Sequence, residues 1–158
     1  MDDYPLKMHV FNRARLIKNS KNRIPYGVDL IQKYKRESWI VFTENKKQAK
    51  EFNKIINTKG FKSALYNTDL DSTERLENLN KFKKADLNVL VTCTALDEGF
   101  DMPEADGALI LSASSSKRQR VQRMGRVLRI TENKPNALIV TVYSSKTEFD
   151  KLMEEAKR

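Results

Sequence analysis

The chain has little of what small stapled or metal-bound domains need. Among its 158 residues there is one cysteine, Cys93, and one histidine, His9. No internal disulfide can form, and no Cys/His zinc cluster exists. A metal site is not expected. A chain of this length can bury an adequate core without either device. No apolar run reaches the ~20 residues that a membrane-spanning helix requires. The opening Met1-Asp2-Asp3-Tyr4-Pro5 lacks the basic and apolar regions of a secretory signal. These absences point to a soluble protein of a reducing compartment, cytoplasmic or, in a eukaryote, nuclear, with no membrane partner. Glycine is also scarce, with five residues in all. They are scattered, and no Gly-x-x-x-x-Gly-Lys-[Ser/Thr] loop occurs, so the chain carries no phosphate cradle of that type. No Asp-Glu pair follows an apolar strand in the manner of a magnesium-binding carboxylate site.

Positive charge is abundant. Lysine and arginine number 30 against 21 acidic residues, a formal charge of +9. Two readings stand: an anionic partner, or lysine-rich solvated helix faces. The pattern along the chain is an alternation. Residues 1–36 are polar and basic, with Val10, Ala14 and Ile17, then Val28 and Ile31, at helical spacing. Two helical pieces divided near Pro25 are expected there, as a lead-in or linker. From 37 onward apolar runs suited to buried strands alternate with amphipathic helices. The strand candidates are Trp39–Phe42, Phe61–Tyr66, Leu87–Thr92, Ala108–Leu111 and Ala137–Val142. Helices are expected over Asn45–Thr58, after an N-cap near Asp71, through the stretch beyond Ser114–Ser116, and over Lys146–Lys157. Leu76, Leu79 and Phe82 recur at helical spacing, and Gly60 stands where a helix C-terminus favours glycine. Trp39 and Cys93 read as core. The expected fold is α/β: three layers, with a mainly parallel central sheet and helices on both faces.

Chemistry concentrates in two blocks. The first is Thr92-Cys93-Thr94-Ala95-Leu96-Asp97-Glu98-Gly99-Phe100-Asp101. The second is Gln122-Arg123-Met124-Gly125-Arg126-Val127-Leu128-Arg129. Arg126 and Arg129 lie three apart on a probable helix, so they project from one side and can reach one polyanion together. Arginine suits that task because its planar fork pairs with phosphate oxygens and keeps its charge. In open α/β sheets, ligands gather at the carboxyl ends of the strands. Thr43, Asn67, Thr92 and Ser112–Ser116 all fall at such ends.

These blocks, in this order and spacing, resemble the second RecA-like domain of superfamily 2 helicases and translocases. Trp39–Thr43 resembles motif IV, Thr92–Asp101 motif V and Gln122–Arg129 motif VI. The finer pattern around Asp101–Asp106 and Ser114–Gln119 is most similar to the XPB-like and restriction-type branch. Gln122 stands where DEAD-box proteins carry histidine, and Asp97-Glu98 departs from their motif V. Both departures weigh against a DEAD-box RNA helicase.

The resemblance implies that 37–158 is a C-terminal motor domain of an ATP-dependent DNA helicase or translocase. Arg126 and Arg129 would be arginine fingers at the ATP γ-phosphate, with Gln122 beside it. Gly99 and Asp101 would contribute to the nucleotide site, Asp101 being alternatively a turn residue before Pro103. Arg123 would be a structural brace. Thr43, Thr92 and Asn67 would belong to the nucleic-acid track, Thr43 being alternatively a helix N-cap. Lys117, Arg118 and Arg120 read equally as a solvated helix face. Magnesium-bound ATP would be held mainly by an N-terminal RecA-like domain, the expected partner beside nucleic acid, with DNA favoured. The chain alone is expected to be inactive, and to be one half of a longer enzyme. Two alternatives stand: a non-enzymatic nucleic-acid-binding adaptor, and half of an RNA helicase.

Overall fold

The computed structural model describes residues 22–43, 45–93, 103–111, 137–142, 150 and 153–154. Their elements run α1 (Arg23–Lys33), β1 (Trp39–Thr43), α2 (Lys46–Thr58), β2 (Ser63–Tyr66), α3 (Ser72–Lys83), β3 (Val89–Cys93), β4 (Gly107–Ile110) and β5 (Leu138–Thr141). The expected closing helix and the helix of the arginine block lie largely or wholly outside the described residues.

The five strands form one sheet in the order β2-β3-β1-β4-β5. Every pairing is parallel. A parallel sheet buried on both faces needs strands without polar alternation. Trp39–Val41, Val89–Val91 and Ala108–Leu109 meet this, each fully buried. Side chains alternate between two cores. Trp39, Val41, Val89, Val91, Leu109 and Val140 face one layer, where α1 and α2 supply Ile24, Val28, Ile31, Ala49, Phe52 and Ile56. Ile40, Leu90, Ala108 and Ile110 face the other, where α3 supplies Phe82. The three-layer expectation therefore holds.

Two details depart from the sequence reading. Pro25 does not divide a helix; it sits in the first turn of α1, where its missing N–H would have no intrahelical partner. And α1, read from sequence as part of a lead-in segment, packs into the principal core through Ile24, Val28, Leu30 and Ile31. On α3, helical spacing put Leu76 with Leu79 and Phe82, but Leu76 is 58% exposed while Phe82 is buried.

Close packing fixes two backbone positions. Gly107 lies under the Trp39 ring, and a Cβ there would come within 2.7 Å of Trp39 Cε3. Gly60 ends α2 with φ +87°, the left-handed conformation that glycine adopts without penalty.

Candidate nucleic-acid and nucleotide edge

The strand order puts the carboxyl ends of β2, β3 and β1 side by side. Tyr66 and Phe42 both register with Thr92, and Thr43 with Cys93. Asn67, Thr92 and Thr43 therefore lie in one row, brought together as the sequence reading required. All three are buried, at 0%, 0% and 4% exposure. The Thr43 hydroxyl lies 3.1 Å from the Thr92 carbonyl and 3.2 Å from the Asn45 carbonyl. Its single hydrogen serves one of them at a time, and it bridges β1 to β3. Asn45 is the N-cap of α2, its side chain accepting from the Gln48 N–H at 2.8 Å. The cap role considered for Thr43 thus belongs to its neighbour.

Asn67 closes an Asx-type turn, its Oδ1 accepting from the Asp69 N–H at 3.3 Å. Asn67 Nδ2 and Thr92 Oγ1 are buried and meet no hydrogen-bond partner among the described residues. The same turn presents Asp69, which pairs with Lys46 and, at 3.5 Å, with Lys50. These lysines lie one turn apart at the start of α2. The hydrogen bond from Lys46 lowers the Asp69 carboxyl below its ordinary value, and the charges of Lys46 and Lys50 add to it. Asp71 then caps α3 by accepting from the Glu74 N–H at 2.8 Å. Burial raises the Tyr66 phenol above its ordinary value, partly opposed by Arg75.

Two helices thus begin at this edge, α2 after β1 and α3 after β2. Their N-termini carry partial positive charge and free N–H groups, which favours anions. Lys46 and Lys47 reinforce the α2 end, while Asp69 offsets part of that charge. The edge is suited to holding an anion. Among the described residues no group of three or more His, Cys, Asp or Glu side chains is placed to hold a metal.

Both chemical blocks leave from the same edge. The first continues directly from Cys93 at the end of β3, and the chain runs on from Leu111, beyond β4, toward the second. Gly99, Asp101, Gln122, Arg123, Arg126 and Arg129 lie outside the described residues. The sequence reading missed Lys46, Lys50 and Asp69, although two lysines four apart in a first helical turn, without an acid there, were visible. It also missed Arg23, whose Nη1 donates to the Leu111 carbonyl at 2.8 Å. A contact spanning 88 residues leaves no local signal.

Similar proteins agree with this architecture. The chain is 36% identical over 129 residues to the DNA 3'-5' translocase XPB2 of Sulfurisphaera tokodaii, covering 82% of this chain and 28% of that protein. It is 31% identical over 125 residues to the UvrABC system protein B of Fusobacterium nucleatum, covering 75% of this chain and 19% of that one. It therefore spans under a third of these relatives. Among solved structures, the C-terminal domain of the DEAD-box protein Dbp5 superposes with a TM-score of 0.77 at 20% identity, over 90% of this chain and 83% of that domain. The helicase conserved C-terminal domain family matches residues 22–131, and the chain belongs to that family.

Proposed function

We propose that this domain is the C-terminal motor half of an ATP-dependent DNA helicase or translocase. One observation carries the reading. The segments bearing Gly99–Asp101 and Gln122–Arg129 both continue from strand ends on the edge where α2 and α3 present their N-termini. Phosphate chemistry needs such a convergence of positive groups. DNA is favoured because a DNA translocase is among the relatives above 30% identity.

ATP is the substrate, and its hydrolysis supplies the free energy for movement. Arg126 and Arg129 reach its γ-phosphate and stabilise the charge that develops in phosphoryl transfer, with Gln122 beside them. Gly99 gives close backbone approach, Asp101 accepts from the ribose or from a motif VI arginine, and Arg123 braces the block. Arginine fingers of this kind contribute ~10³–10⁵ in rate. The N-terminal RecA-like domain supplies the magnesium carboxylates and the phosphate cradle, so this chain alone does not turn ATP over. Thr43, Asn67 and Thr92 form the floor of the nucleic-acid track. Their burial puts the phosphate contacts on main-chain N–H groups of the turns they hold, as is common in backbone recognition.

Polymer-stimulated ATPase activity of the full-length polypeptide tests this. It is measured at fixed salt, because phosphate binding is strongly salt-dependent. Stimulation by single-stranded or duplex DNA is expected. Stimulation by RNA alone moves the function to RNA remodelling, and no stimulation by any polymer favours an adaptor.

A further inference from the structure

Arg23 is a charged residue in an improbable place. It opens α1, at the helix end where a cation is electrostatically disfavoured. It is also buried, at 6% exposure. Burying a guanidinium is costly unless specific acceptors compensate it. One compensation is explicit: Nη1 donates to the Leu111 carbonyl at 2.8 Å. Leu111 follows β4 directly. Its N–H is bound to the Phe42 carbonyl at 2.8 Å, and its side chain is fully buried. The residue is thus held on its N–H side by β1 and on its carbonyl side by α1. From Leu111 the chain continues to Ser112–Ser116 and the arginine block. Because α1 begins at Leu111 and leads into the amino end of β1, the upstream chain enters the domain at this same carboxyl edge.

We propose that Arg23 is a positioning residue for the arginine block. It ties the point where the chain enters from the N-terminal partner domain to the point where it departs toward Arg126 and Arg129. Relative movement of the two domains is thereby transmitted to the fingers through one buried hydrogen bond. This inference rests on the finger reading given above. Arginine is required rather than lysine because its fork can hold the carbonyl and use its remaining donors at once.

The test compares kcat, KM for ATP and DNA affinity in the full-length polypeptide carrying Arg23→Met, Arg23→Lys or Val28→Ala. Val28 is buried in α1 and makes no hydrogen bond to Leu111, so it controls for lost helix packing. Small misplacements of catalytic groups cost roughly ten- to a hundredfold. Arg23→Met is therefore expected to lower kcat by about that factor and Arg23→Lys by roughly three- to tenfold, with KM and DNA affinity within about twofold. Val28→Ala should hold kcat within about twofold despite lower thermal stability. Arg23→Lys keeps the comparison open should the methionine variant fail to fold. A folded Arg23 variant with parental kcat overturns the proposal, as does an equal loss of kcat in Val28→Ala. Arg126→Ala in the same assay separates the two ideas. Normal turnover there removes the finger reading and this inference with it, while collapse there beside a parental Arg23→Lys removes this inference alone.

Discussion

At the scale of single residues, contacts that look minor in sequence carry stability and charge. Gly107 is fixed by the Trp39 ring, which is itself fully buried and has nowhere to move. Gly107→Ala is expected to destabilise by about 1–3 kcal/mol through overpacking, read as a lower urea midpoint at unchanged slope. Asp69 makes a different prediction. Its folded carboxyl titrates below the ordinary 3.8, chiefly through the Lys46 hydrogen bond. The stability it contributes is therefore present above 3.8 and is lost as pH falls through the depressed folded value. An Asp69→Asn variant should be less stable than its parent near neutrality, with the gap closing at acid pH. A gap independent of pH would contradict the ion-pair account. Residue identity made Gly60 and Trp39 legible in advance. It did not reveal Asp69, whose partners lie 19 and 23 positions away in sequence, on α2.

At the scale of elements, strands and helices were readable wherever local chemistry decided them. The apolar runs beginning at Trp39 and Val89 and the caps Asn45 and Asp71 needed no tertiary information. Two features did. The first is the edge strand β2, where the Asn57 side chain takes the Ser63 N–H at 3.2 Å and Asn78 donates to the Leu65 carbonyl at 3.0 Å. Asparagines from two helices thus occupy hydrogen-bonding groups on the strand's outer side, which an exposed edge would otherwise offer to another chain. The second is the end of α3. There the Ala85 N–H bonds to Phe82 and the Asp86 N–H to Lys81, a Schellman arrangement with Ala85 at φ +63°. Alanine is strained in that conformation, so nothing in the sequence announced the turn. Ala85→Gly should stabilise by about 0.5–1 kcal/mol, because the relief of strain exceeds the added freedom of the unfolded chain. A loss of stability in thermal unfolding would contradict it.

At the scale of the whole molecule, the fold class followed from alternation, and the parallel sheet and its two cores agree with that reading. The candidate site was legible in part, because a doubly wound sheet must gather its strand-end residues along one edge. That logic located the row of Thr43, Asn67 and Thr92. It could not show that their side chains face inward, since burial at a strand end depends on the turns above it. Nor could it connect Arg23 to Leu111, or show that α1 is core. Those features arise only when distant segments meet.

The central claim is that Arg126 and Arg129 complete a nucleotide site furnished by a second domain. The most direct test is DNA-stimulated ATPase activity of the full-length polypeptide, of its Arg126→Ala and Arg129→Ala variants, and of this domain alone. The isolated domain should show no turnover. Each alanine variant should lose about 10³-fold or more in kcat while DNA affinity stays within about threefold. Near-parental turnover in both alanine variants, or ATPase activity in the isolated domain, would contradict the account.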